Sequence, residues 1–301
     1  MADFVSDWAA KRMLETPESN DEQWSDSDDC WCRIIRLRDC VIVRKGRAPR
    51  VAIFTHIDTT GFTVGYGGAL IPIGQPQAVD GDRFRLCGDA AGTSGVITGD
   101  GEVYTLRQLE VAPGDRVVYA AKPVVDGHHI HSPYLDNRAG MWAAMQALLQ
   151  CQNVAVTFTT GEETSTSGAQ ICARYVYDKL GITRALISDI TWDTEHVHCG
   201  SGVAISRRDH YVPSQGFVDQ VVAIAANSGI PYQIEIESEG GSDGAGIERS
   251  GCPIDWAFVG APEIDPHTSH EKLDLGDLDK MARLLITVVN AMTEPWSPDQ
   301  S

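Results

Sequence analysis

Between Val154 and Ala169 the chain reads VAVTFTTGEETSTSGA. Alternating β-branched and apolar residues open it, two adjacent glutamates follow, and small and hydroxyl residues lead into a helical pattern. A buried strand followed by a helix is the building unit of an open α/β sheet, and such sheets place their chemistry at the C-terminal strand ends. An isolated pair of glutamates beside a helix start more often does no more than favour the helix dipole. Glu162 and Glu163 therefore carry a function only if other polar residues meet them at the same edge.

The rest of the chain supplies such an edge. Trp31 to Leu37 and Cys40 to Arg44 read as short strands around a turn at Arg38-Asp39. Val51 to Thr55 is a continuous apolar run, the pattern of a strand covered on both faces, and it ends in His56-Ile57-Asp58. Met141, Ala144, Met145 and Leu148 fall at helical spacing within Arg138 to Leu149. Further strands are expected at 184–190, 203–206, 232–236 and 254–259, and helices at 214–228 and 275–292. Strand–helix alternation predicts an α/β fold with a mainly parallel sheet sandwiched by helices. From Gly67 to His128 the texture changes: glycines and prolines recur between short β-like pieces (Arg83 to Leu86, Gly95 to Thr98, Val103 to Leu106, Arg116 to Ala120), and no helical period appears. The expected organisation is a catalytic α/β domain from 1–66 and 129–301, with a small all-β domain inserted at 67–128.

Charge and composition exclude several classes. A net charge of −18 argues against nucleic acid and anionic membranes as partners. No apolar run is long enough to span a bilayer, and the first residues lack the pattern of a signal peptide. The acidic, Ser-rich stretch 21–29 reads as a solvated arm. Eight scattered cysteines match neither zinc-ribbon nor thioredoxin spacing, and are expected as reduced thiols in a cytoplasmic protein. No serine lies in a G-x-S-x-G elbow, and the glycine-rich turns lack both GxGxxG and the P-loop lysine.

Several candidate ligands share a position in this scheme. His56 follows the strand ending at Thr55, and Glu162 and Glu163 follow the one ending near Thr160. Asp189 closes the strand from Arg184, His267 lies beyond the strand ending at Val259, and Asp136 opens a helix. Each alone has an ordinary explanation: a satisfied buried histidine, a helix cap, a turn residue. Together they form a set of two histidines and several carboxylates, which suits zinc, cobalt or manganese.

In order and approximate spacing, these motifs resemble those of the co-catalytic dinuclear aminopeptidases, peptidase family M42 (glutamyl and tetrahedral aminopeptidases) in particular. The residues that carry the resemblance are His56-Ile57-Asp58, Leu135-Asp136-Asn137-Arg138, Gly161-Glu162-Glu163, Asp189-Ile190-Thr191 and His267-Thr268-Ser269-His270-Glu271. Gly240-Gly241-Ser242-Asp243 and Val111 to Asp115 add to it. The resemblance implies two divalent metal ions, zinc first. Asp136 would bridge them, His56 and Asp189 would complete one site, and Glu163 and His267 the other. Asp58 would fix the His56 tautomer and Glu162 would be the general base. Because neighbours in extended backbone point opposite ways, Glu163 could face a metal and Glu162 the water. His267 is preferred to His270 because a glutamate, Glu271, follows four residues later. The implied activity is hydrolysis of N-terminal residues from peptides, with a small-molecule amidohydrolase, deacylase or deaminase as the alternative. The implied assembly is a homo-oligomer. Thr164 to Ser167 departs from the family's usual valine-glycine, which puts substrate preference in question before the hydrolytic machinery.

Overall fold

The computed structural model describes residues 32–38, 40–89, 93–99, 104–238 and 240–293. The arm at 21–29, the turn residue Asp39, and Trp31 and Val103 at the expected starts of two strands lie outside them.

The centre of an 11-stranded sheet is four parallel strands: β12 (Val154–Thr159), β3 (Val51–His56), β13 (Arg184–Trp192) and β16 (Asp255–Ile264). Alternate residues of β3 feed two separate cores. Val51 and Ile53 join one with α1 (Leu135–Gln150), α3 (Gln215–Ser228) and α5 (Leu275–Thr293). Ala52 and Phe54 join the other with α2 (Ser167–Leu180) and α4 (Asp243–Ser250). A strand covered on both faces must be apolar on both, which is why VAIFT carries no alternation. Phe54 is fully buried, so Phe54→Ala would cost about 3–5 kcal/mol.

Outside this centre the sheet is antiparallel apart from one pair. The hairpin β1 (Cys32–Leu37) and β2 (Cys40–Lys45) lies beside β12. On the other side, β17 (Lys272–Asp274), β11 (His129–His131) and β10 (Val124–Asp126) extend from β16. β14 (Val203–Ser206) runs antiparallel to β16 and carries β15 (Tyr232–Glu235) in parallel. The expectation of a mainly parallel sheet therefore holds for the centre and fails at the flanks. The reason is connectivity: strands joined by tight turns, as β1–β2 and β10–β11 are, can pair only antiparallel.

A second, six-stranded antiparallel sheet has the order β5 (Leu70–Ile73), β4 (Gly61–Val64), β9 (Arg116–Tyr119), β6 (Arg83–Leu86), β7 (Ser94–Gly99) and β8 (Tyr104–Arg107). Its own core holds Phe62, Phe84, Ile97, Val117 and Tyr119, with Phe62 and Phe84 edge to face at 5.5 Å. The boundaries differ from 67–128. Gly61–Val64 already belongs to this sheet, and Val124–Asp126 pairs with the large one. Short apolar runs read alike in either sheet, and only the pairing partner decides.

β13 runs beyond its expected end at Ile190 to Trp192, and β16 beyond Val259 to Ile264, paired as far as Trp192↔Glu263. Asp189 thus lies within a strand. Among the described residues no helix is long and apolar enough to cross a membrane.

Candidate metal centre

Register sets the site. Thr159 pairs with His56 and Ile187 with Phe54, so the C-terminal ends of β12 and β3 lie level with Asp189 in β13. His56 is buried, with Nε2 2.9 Å from Asp136 Oδ1 and 3.5 Å from Asp189 Oδ1. Asp136 Oδ2 lies 3.1 Å from His267 Nε2, which is 3.8 Å from Glu163 Oε2. Each oxygen of Asp136 therefore faces a different imidazole. Two groups of potential ligand atoms, each within 4.8 Å of one another, result: His56, Asp136 and Asp189, and Asp136, Glu163 and His267.

Local sequence explains the placement. Asp136 and Asn137 depart from helical dihedrals at the start of α1, and the peptide bond between them is cis. Asn137, quoted within a motif but given no role from sequence, locks this corner. Its amide donates to Thr55 Oγ1 at 3.1 Å and to the Ser188 carbonyl at 2.9 Å, and its Oδ1 accepts from the Gly140 N–H. Helix and strand approach so closely that a Cβ on Gly140 would lie 2.3 Å from the Ser188 oxygen. Glu271 Oε2 accepts the N–H groups of Leu135 and Asp136.

Glu162 and Glu163 sit in a turn, not in the extended backbone expected of them. Gly161, at φ +81°, aims its carbonyl at the N–H groups of Thr164, Ser165 and Thr166. The N–H groups of Glu162 and Glu163 donate to the two carboxylate oxygens of Asp58, at 3.3 Å each. Asp58 meets His56 Nδ1 as well as the glutamate turn. Its main-chain oxygen is nearest His56 Nδ1 at 3.2 Å, its Oδ1 lies at 3.6 Å, and the two carboxylate oxygens also hold the glutamate turn.

His267 adopts φ +61° and is held by the region of the second sheet. Its Nδ1 lies 3.1 Å from the Gln75 carbonyl, and its own carbonyl accepts from Tyr119 Oη at 3.0 Å and from the Gln77 N–H. His270 is exposed, 3.8 Å from Asp265, and belongs to neither group of ligand atoms. Thr164 lines a different cavity, of about 720 Å³, together with Asp58 and Thr60.

The electrostatics call for cations. Burial alone would raise Asp136, but hydrogen bonds from His267 and His56 outweigh it and hold it below the usual carboxylate range. Burial disfavours the charged imidazoles, yet the surrounding carboxylates raise His56 well above its ordinary value and His267 to about 9. Burial first, then neighbouring carboxylates, push Glu163 to about 7 and Glu162 well above its ordinary value. Glu163 Oε1 is buried with no hydrogen-bond partner among the described residues. Four crowded carboxylates, two imidazoles and an orphaned oxygen are a donor set that fits divalent ions.

Two further acids escaped sequence reasoning as site residues. Asp243 is buried, its Oδ2 accepts from Thr159 Oγ1 at 2.6 Å, its Oδ1 has no partner among the described residues, and burial lifts it to about 7. Glu263 on β16 is fully buried, and neither oxygen has a hydrogen-bond partner among the described residues. The Gly-Gly-Ser-Asp segment was the available signal for Asp243. Glu263 had none, because it reads as the end of an apolar run.

The centre opens into a cleft of about 560 Å³, lined by His56, Asp136, Glu162, Glu163, Asp189 and His267 among others. A family model for the M42 glutamyl aminopeptidases matches residues 98–284. The chain belongs to the M42 glutamyl aminopeptidase family. The matched span contains Asp136, Glu162, Glu163, Asp189 and His267, while His56 and Asp58 precede it. A relative of this M42 chain from Acetivibrio thermocellus, provisionally named an aminopeptidase, is 24% identical over 294 residues, covering 85% of this chain and 87% of its own. The fold is shared with an aminopeptidase of Desulfurococcus kamchatkensis at a TM-score of 0.77 and 21% identity, covering 97% of this chain and 93% of that one. It is shared also with the TET1 peptidase of Pyrococcus horikoshii, which can assemble into a tetrahedron or a large octahedral shell (TM-score 0.72, 21% identity, 88% and 90% covered).

Proposed function

We propose that this M42 protein is a metal-dependent aminopeptidase that removes N-terminal residues from peptides with two divalent ions, zinc first. The observation that carries the reading is Asp136, whose two oxygens face His56 and His267 separately. His56, Asp136 and Asp189 would hold one ion, and Asp136, Glu163 and His267 the other. When bound, such ions polarise the scissile carbonyl and acidify water.

The chain's own residues do the rest. Glu162 takes the proton of the attacking water on its carboxylate and returns it to the departing amine, and burial raises it well above its ordinary value. Asp58 fixes the turn that presents Glu162, and its main-chain oxygen holds His56 Nδ1. We further infer that the second sheet is an inserted domain that steadies His267 and takes part in a homo-oligomer. The contacts from Gln75 and Tyr119, and the assemblies of the TET1 peptidase, support this.

Glu162→Ala tests the reading: bound metal should be unchanged while kcat on an aminoacyl amide falls by about 10²–10⁴-fold. A near wild-type rate in that variant would remove Glu162 from the chemistry.

A further inference from the structure

Past Asp189, β13 carries the wall of the cleft onward through Ile190, Thr191 and Trp192. Of the apolar side chains that line the cleft, Ile190 and Phe258 are buried at 6% and 5% exposure, while Trp192 is 45% exposed. Its backbone is fixed: Trp192 pairs with Glu263 in β16, and the N–H of the next residue, Asp193, donates to the Glu263 carbonyl at 2.7 Å. Its ring is held as well, edge to face against the His267 imidazole, with centroids 6.1 Å apart and 85° between the planes. A large indole anchored beside a proposed ligand, and left half open to the cleft, is a surface on which a second ring can pack.

Asp136 divides the centre, with Oδ1 turned to His56 and Oδ2 to His267. Glu162 serves the departing amine, and beyond burial the charges that act on it are those of His56, Asp189, Asp136 and Asp243, the His56 half. Trp192 stands against the other imidazole, so it meets the part of the substrate that lies away from Glu162, the N-terminal residue. The carboxylates farther along the cleft are already engaged by neutral donors. Asp209 accepts from Ser242 Oγ at 2.6 Å and from the Tyr211 N–H, and Glu235 accepts from the Thr191 hydroxyl. An aromatic ring suits these surroundings, because its positive edge tolerates carboxylates while it packs on the indole.

We propose that Trp192 is the platform for the side chain of the substrate's N-terminal residue and selects an aromatic one, phenylalanine or tyrosine. The inference rests on the aminopeptidase reading and narrows its substrate class. A saturated ring of similar size fills the same space but lacks the charge pattern that an indole recognises. Trp192 acts on the choice of substrate and takes no part in proton transfer.

The test uses dipeptide amides on the full, zinc-loaded chain, with phenylalanine, cyclohexylalanine, lysine or glutamate ahead of a constant alanine amide, so that the leaving group is never aromatic. Phenylalanine should exceed cyclohexylalanine in kcat/KM by about 2–10-fold, mainly through KM, with lysine and glutamate lower. In Trp192→Leu, which keeps apolar bulk, that ratio should fall to about one with both ions still bound, and Trp192→Phe should restore a preference for phenylalanine. A purely structural role through His267 would slow both substrates alike, so an unchanged ratio in Trp192→Leu would overturn the assignment. Parent preference for cyclohexylalanine, lysine or glutamate would overturn it too, as would a phenylalanine preference seen only after the cleaved bond, in alanyl-phenylalanine amide. Each of these leaves the aminopeptidase reading standing. Cleavage of none of the substrates would overturn that reading, and the platform with it.

Discussion

His267 and His270 stand three residues apart in one loop, and composition gives them equal standing as ligands. The backbone separates them. His267 turns to φ +61° and reaches Asp136, while His270 stays in solvent beside Asp265. His267→Ala should bind one ion where the parent binds two, and His270→Ala should keep both, counted by atomic emission after gel filtration. Metal loss confined to the His270 variant would reverse the assignment. At this scale much of the site could be read in advance, because His56 and the glutamate pair are polar residues at the ends of apolar runs. What could not be read was direction. Asp58 was expected to meet His56 with its carboxylate; the carboxylate lies 3.6 Å from Nδ1, the main-chain oxygen is nearer at 3.2 Å, and the carboxylate also accepts from the glutamate turn. Backbone acceptors have no sequence signature.

The elements fix the site by close approach, and α1 shows it best. Gly140 lets the helix start touch β13, and Asn137 bridges that corner to β3 and β13. Gly140→Ala places a methyl group where two oxygens already lie, and should cost about 1–3 kcal/mol by urea denaturation. An unchanged midpoint would mean the corner is looser than described. β9 reaches the site through a single hydroxyl, from Tyr119 to the His267 carbonyl. Tyr119→Phe should weaken metal binding about 10–100-fold by chelator competition, with little change in the size of the folded unit. Element positions were largely legible from apolar runs, but lengths were not. β13 and β16 continue through Thr191, Pro262 and Glu263, residues that break an apolar pattern yet are buried.

Over the whole molecule, the division into a large α/β sheet and a second β sheet was legible as a change of texture near Gly67. Membership of individual strands was not, since Gly61–Val64 and Val124–Asp126 each pair across the expected boundary. The buried charges of the centre also set how stability responds to pH. Without metal, burial lifts Glu163 to about 7 and Glu271 to about 8, above the ordinary 4.5, and carboxylates lift His267 to about 9, above 6.5. A group raised in the folded state stabilises below its ordinary value and loses that contribution as pH rises through the folded one. Metal-free protein should therefore lose stability between about pH 5 and pH 9. Asp136 and Asp58, lowered from 3.8, act only in more acidic solution. Bound ions require deprotonated ligands, so the gap in Tm between loaded and chelated protein should widen from about pH 6 to about pH 8. A gap that narrows over that range would contradict the ligand set. The most direct measurement titrates zinc into chelated protein while following release of an N-terminal residue and counting bound ions. Turnover should be absent without metal and should reach its full value as the second ion per chain binds. Full turnover in metal-free protein would contradict the central claim.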